Sequence, residues 1–212
     1  MNNTTIAASG APLRRAKAAM IIMHGRGASA ESMLEFAGVF AQPDIAFLAP
    51  RASGSSWYPY SFMAPLEQNE PALSHALTTV ARAVSHVGEN GFAPDRIVLL
   101  GFSQGGCLTL EYAAQNAQRY GGVVGLSAGL IGPPGAPRDY PGSLSDTPVC
   151  IGCSDMDPHI PLARVQESTG VLRRLGGDLT ERIYPGMGHT INDDEVKHVR
   201  SILAGLVQSS AA

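Results

Sequence analysis

Short apolar runs alternate along this chain with stretches of helical periodicity, and that alternation constrains the fold most strongly. Ala18-Ala-Met-Ile-Ile-Met23 is apolar at every position and ends at His24-Gly25. A run without polar alternation suits a strand covered on both faces. Ile45-Ala-Phe-Leu-Ala49, stopped by Pro50, reads the same way. So do Asp95-Arg-Ile-Val-Leu-Leu-Gly101, Gly122-Val-Val-Gly-Leu126 and Pro148-Val-Cys-Ile151, and Leu179 to Tyr184 supplies a further strand. Between Ser29 and Phe40 the apolar residues Met33, Phe36, Ala37 and Phe40 fall at helical spacing. Helices are also predicted over Pro71 to Val87, Cys107 to Arg119, Leu162 to Leu175 and Asn192 to Val207. Pro71 sits near a first turn, where a missing N–H costs little. Asp193, Asp194 and Glu195 lie at the positive end of the last helix. Strands joined by helices imply right-handed crossovers and a three-layer α/β domain, with a mostly parallel sheet of about six to seven strands.

The 212 residues are expected to form one domain, with no internal repeat and no linker. Residues 1–12 and 208–212 are expected to be flexible. Hydrophobic residues make up 44% of the chain and charged residues 16%, enough to build a core without staples. The net charge of −3 offers no clustered basic face, which argues against nucleic acid or an anionic membrane surface as partner. The three cysteines, Cys107, Cys150 and Cys153, form no disulfide framework. Cys150-Ile-Gly-Cys153 ends a strand, whereas a redox motif of that spacing opens a helix. No run approaches the roughly 20 apolar residues of a membrane span, and no signal peptide is visible, so a cytoplasmic location is expected.

The chemistry concentrates at strand ends. Gly101-Phe-Ser-Gln-Gly105 is a G-x-S-x-G sequence between a strand and a helix. Such a turn exposes its central serine in a strained conformation, and side chains at the flanking positions would collide. A serine hydroxyl needs a base. Among the six histidines, His189 has the best setting, in the Gly-rich loop after the last strand. The base needs an orienting carboxylate, and Asp155 and Asp157, after the fifth predicted strand, are both candidates. The chain order serine, aspartate, histidine is that of the α/β-hydrolase triad. An acyl-transfer site also needs two backbone amides for the oxyanion: one from Gln104, after the serine, and one from Arg26 in His24-Gly-Arg-Gly27. Trp57, Tyr58, Tyr60, Phe62 and Met63 form an aromatic-rich loop that walls a pocket or fills the core, and Met187 lies beside His189. Trp57, Tyr58, Met63 and Met187 are the candidate substrate contacts. No metal-ligand pattern is present.

Taken together, His24-Gly-Arg-Gly27, Ser56-Trp-Tyr-Pro-Tyr-Ser-Phe62, Gly101-Phe-Ser-Gln-Gly-Gly106, Asp155-Met-Asp-Pro-His-Ile-Pro161 and Pro185-Gly-Met-Gly-His189 resemble the phospholipase/carboxylesterase branch of the α/β-hydrolases. That resemblance implies the α/β-hydrolase fold and selects Asp157 over Asp155. It implies a triad of Ser103, Asp157 and His189, with oxyanion donors at Arg26 and Gln104. It also implies hydrolysis of small-molecule carboxylic esters without cofactor or metal. The family admits homodimers and a thioesterase or lysophospholipase-type activity. The alternative from another class is a catalytically idle fold that binds a ligand. Cys153-Ser154 stands where thioesterases of the branch usually carry His-Gly, and Arg26 stands where an apolar residue is common.

Overall fold

The computed structural model describes residues 6–208. Seven strands form one sheet: β1 (Ile6–Gly10), β2 (Ala18–Met23), β3 (Ile45–Pro50), β4 (Ile97–Phe102), β5 (Gly122–Leu126), β6 (Pro148–Ser154) and β7 (Asp178–Tyr184). Their order is β1-β3-β2-β4-β5-β6-β7. β1 runs antiparallel to β3, and every other pair is parallel. The helices are α1 (Ala30–Ala37), α2 (Leu66–Asn69), α3 (Ala72–Glu89), α4 (Gln104–Gln115), α5 (Leu162–Arg174) and α6 (Asp193–Gln208). None of them is long and apolar enough to cross a membrane.

Period-two alternation splits each central strand between two cores. Ala19, Ile21 and Met23 of β2, with Ile97 and Leu99 of β4, pack with α3, α4 and α5. Ala18, Met20 and Ile22, with Val98 and Leu100, pack with α1 and α6. The continuous apolar runs arise because both faces are covered. α4 is buried all round from Gln104 to Ala114, so it forms the inner helix of its layer.

Several boundaries differ from the sequence reading. Residues 6–10, expected to be loose, form β1; residues 1–5 and 209–212 lie outside the described residues. β1 was illegible because Ile6-Ala-Ala-Ser-Gly10 is short and weakly apolar, and as an edge strand it is mostly exposed. α4 starts at Gln104, not Cys107, since packing around Gly105 and Gly106 overrides their poor helix propensity. It ends at Gln115, short of the expected Arg119. β6 continues beyond Ile151 to Ser154, pairing with Tyr184 of β7.

Candidate active site

The parallel strands deliver their carboxyl ends to one edge of the sheet, where their loops meet. The tightest turn leads from β4 into α4. Ser103 there has φ 54° and ψ −121°, a conformation rare for a residue with a Cβ. Such strain costs about 1–3 kcal/mol and persists only where the surroundings impose it. The flanking glycines are set by contact. A Cβ on Gly105 would lie 2.3 Å from the Met23 carbonyl oxygen, and one on Gly101 would lie 2.2 Å from that of Gly105.

His189 reaches this serine from the loop after β7. Gly186 and Gly188 hold positive φ there, at 65° and 79°. The loop is tied to the end of β6: the Gly186 amide donates to Asp155 Oδ1 at 2.8 Å, and the Gly188 amide donates to Ser154 Oγ at 3.1 Å. His189 Nδ1 lies 2.7 Å from Asp157 Oδ2, and Nε2 lies 2.8 Å from Ser103 Oγ. With Nδ1–H donating to the carboxylate, Nε2 is left as acceptor for the serine proton. Phe102 and His159 flank the imidazole, with ring centroids at 5.0 and 4.8 Å.

Asp157 Oδ1 accepts the amides of His159 and Ile160 at 2.8 and 3.0 Å. Burial would raise its pKa. The bonds from His189 and from the two amides outweigh burial and hold the carboxyl below its ordinary range. Asp155, the other candidate acid, binds the Gly186 amide instead of the imidazole.

The Gln104 amide opens α4, where first-turn N–H groups have no intrahelical acceptor. Arg26 follows β2 in the neighbouring loop, and the two residues share a cavity wall with Ser103. Their side chains grip the segment after β3. Arg26 donates to Ser56 Oγ at 3.0 Å, to the Pro59 carbonyl at 2.9 Å and to the Tyr60 carbonyl at 2.8 Å. Gln104 Nε2 donates to the Tyr58 carbonyl at 2.8 Å. His24 braces the same region. Its Nε2 accepts the Ala52 amide at 3.1 Å, and its carbonyl accepts the Trp57 indole N–H at 2.7 Å. Burial holds the His24 imidazole below its ordinary pKa, consistent with a neutral ring that accepts at Nε2.

A cavity of about 660 Å³ opens over Ser103 and His189. Tyr58, Tyr60, Phe62, Phe102, His159 and Ile160 contribute to its wall. Of the expected substrate contacts, Tyr58 lines it, and Trp57, Met63 and Met187 do not. Trp57 is turned into the core, where its indole N–H is satisfied by His24. Met63 packs against that core, and the Met187 sulfur contacts Asn192 Nδ2 at 2.9 Å. His159 went unrecognised as a site residue; its position two residues after Asp157 was the available signal. The thiols of Cys107, Cys150 and Cys153 are buried and each is pushed up to about 12, which leaves them unreactive.

A family model described as phospholipase/carboxylesterase matches residues 4–206. The chain belongs to that family. A phospholipase/carboxylesterase from Dyadobacter fermentans is similar in structure, with a TM-score of 0.91 and 42% identity over 95% of this chain and 97% of that one. An acyl-protein thioesterase 1 of Gibberella zeae is 35% identical over 124 residues, 54% of this chain and 50% of that relative, so the match spans half its length. An acyl-protein thioesterase 1 of Saccharomyces cerevisiae is 26% identical over 96% of this chain and 97% of the relative. The seven-stranded, mostly parallel sheet with helices on both faces is the α/β-hydrolase fold of this family.

Proposed function

We propose that this chain hydrolyses small carboxylic esters through an acyl-enzyme on Ser103. The observation that carries this reading is the unbroken contact from Ser103 Oγ through the His189 imidazole to Asp157, built on a strained serine. A fold that only bound a ligand would have no use for that strain, and serine there costs stability.

In the reaction, His189 Nε2 takes the Ser103 proton as Oγ attacks the ester carbonyl. Asp157 keeps the Nδ1 proton in place and stabilises the imidazolium. The amides of Arg26 and Gln104 hold the oxyanion of the tetrahedral intermediate, each contributing about 3–4 kcal/mol to the barrier reduction. The alcohol departs with the proton from His189. Water, deprotonated by the same imidazole, then releases the acid and restores the serine. Every step uses side chains and amides of this chain.

The names of the thioesterase relatives raise a second reading, since the same groups would cleave a thioester. The half-enclosed, aromatic-lined cavity favours a small-molecule substrate over an acylated protein surface. Labelling with a fluorophosphonate followed by peptide mass spectrometry tests the assignment. A single adduct on Ser103, blocked by prior incubation with an ester substrate, is expected. Labelling of another residue, or none, would overturn it. Matched butanoyl ester and thioester rates decide between the two substrate classes.

A further inference from the structure

Tyr58 lines the substrate cavity and is only 1% exposed. Its hydroxyl is buried with no hydrogen-bond partner among the described residues. The thiol of Cys107, which also lines the cavity, lies close enough to interact with it, but a thiol is only a weak partner and no bond of full hydrogen-bond geometry forms. A buried hydroxyl left unpaired costs about 1–3 kcal/mol. Phenylalanine would fill the same space without that cost, so the hydroxyl calls for an explanation.

Slack in the chain does not supply one. The Tyr58 carbonyl is held by Gln104 Nε2 at 2.8 Å and by Ser56 Oγ at 2.9 Å. The backbone that carries the ring is therefore held, and burial confines the ring itself. Burial drives the phenol well above its ordinary pKa, so the group keeps its proton and can donate as well as accept. Phe62 and Ile160, both buried, make the neighbouring cavity wall apolar. In such surroundings a single polar atom sets the orientation and identity of a ligand.

The side of the cavity follows from the chemistry proposed above, on which this inference rests. The leaving oxygen must lie at His189 Nε2 to receive its proton. The acyl chain then extends away from His189, toward the segment that Arg26 and Gln104 grip and that carries Tyr58. We infer that the Tyr58 hydroxyl determines acyl specificity, and that the site prefers esters whose acyl chain carries a hydroxyl or keto oxygen over plain alkanoyl esters.

The test uses two matched pairs of p-nitrophenyl esters: pentanoate against 4-oxopentanoate, and butanoate against 3-hydroxybutanoate. Each kcat/KM is divided by the hydroxide-catalysed rate of the same ester, which removes intrinsic reactivity. The wild type should favour the oxygenated member of at least one pair by about tenfold. In Tyr58→Phe that preference should collapse towards unity, whatever the absolute rates. Tyr58→Phe should melt at or above the wild-type temperature, because an unpaired hydroxyl has been removed. Normalised preferences near unity in the wild type, or equal in both proteins, would overturn the inference and leave the esterase reading standing. A wild type that cleaves none of the four esters and takes no fluorophosphonate would overturn the esterase reading, and the inference with it.

Discussion

The Gln104 side-chain oxygen accepts the backbone amide of Trp57 at 3.0 Å. With the Nε2 bond to the Tyr58 carbonyl, the carboxamide pairs with both sides of one peptide segment, much as a neighbouring strand would. The residue proposed to supply an oxyanion amide thus also fixes the cavity wall. Gln104→Ala keeps the amide and removes the grip. The buried Trp57 amide then loses its acceptor, at a cost of about 1–3 kcal/mol, and the Tyr58 carbonyl keeps only its bond from Ser56 Oγ. The expected result is a KM raised about tenfold with a smaller fall in kcat, read from steady-state kinetics on a p-nitrophenyl ester. A kcat loss with KM unchanged would contradict a positioning role.

Asp157→Asn separates geometry from proton placement. The asparagine oxygen can still accept the His159 and Ile160 amides, while its NH₂ faces His189 Nδ1. That forces the imidazole proton onto Nε2, toward Ser103, where no base remains. A kcat lower by about 10⁴ is expected. Circular dichroism should change little, with a small fall in Tm above pH 5, where the ionised Asp157 contributes its full stability.

The glycine at position 105 is fixed by backbone, not by a pliable side chain. In Gly105→Ala the new methyl would meet the carbonyl oxygens of Met23 and His24 at 2.3 and 2.4 Å. Neither can retreat, because Met23 is paired into the sheet and the His24 carbonyl holds the Trp57 indole. A destabilisation of about 3 kcal/mol is expected. Differential scanning calorimetry should show Tm lower by about 6–12 °C, with activity lost as the turn opens.

Glu195 gives stability a pH dependence away from the reaction. It is fully buried, and Oε2 accepts the Asn192 amide at 2.9 Å while Oε1 has no partner among the described residues. Burial, aided by the charge of Asp194, pushes its pKa up to about 7 against an ordinary value of 4.5. The folded state therefore holds this proton more tightly than the unfolded chain. The contribution is fully present below pH 4.5, declines as pH rises towards about 7, and is constant above. Its full range is up to about 3 kcal/mol. Glu195→Gln carries no such titration. Its Tm relative to wild type should rise between pH 5 and pH 7.5 by several degrees. A difference that does not vary with pH would contradict the account.

The central strands were legible because burial on both faces leaves uninterrupted apolar runs, as in Ala18–Met23. The Ser103 turn was legible for a related reason: backbone contacts at Gly101 and Gly105 admit no side chain, and that demand is written in the sequence. What stayed hidden depends on tertiary partners. The aromatic loop could be recognised as aromatic, but nothing in Ser56-Trp-Tyr-Pro-Tyr60 says that Trp57 turns inward to His24 while Tyr58 borders the cavity. In the sequence Arg26 read as a backbone donor. Its guanidinium instead holds Ser56, Pro59 and Tyr60, residues about thirty positions away. Asp155 and Asp157 were equal by spacing. Their loop sends one carboxylate to the Gly186 amide and the other to the imidazole.

The central claim is that Ser103 is the nucleophile, and p-nitrophenyl butanoate hydrolysis by wild type and Ser103→Ala at pH 8 tests it most directly. The account predicts turnover by the wild type and a kcat lower by on the order of 10⁴-fold or more in the variant, with the fold retained. A folded variant that keeps kcat within about tenfold of wild type would contradict it, because the oxyanion amides and binding alone cannot sustain that rate.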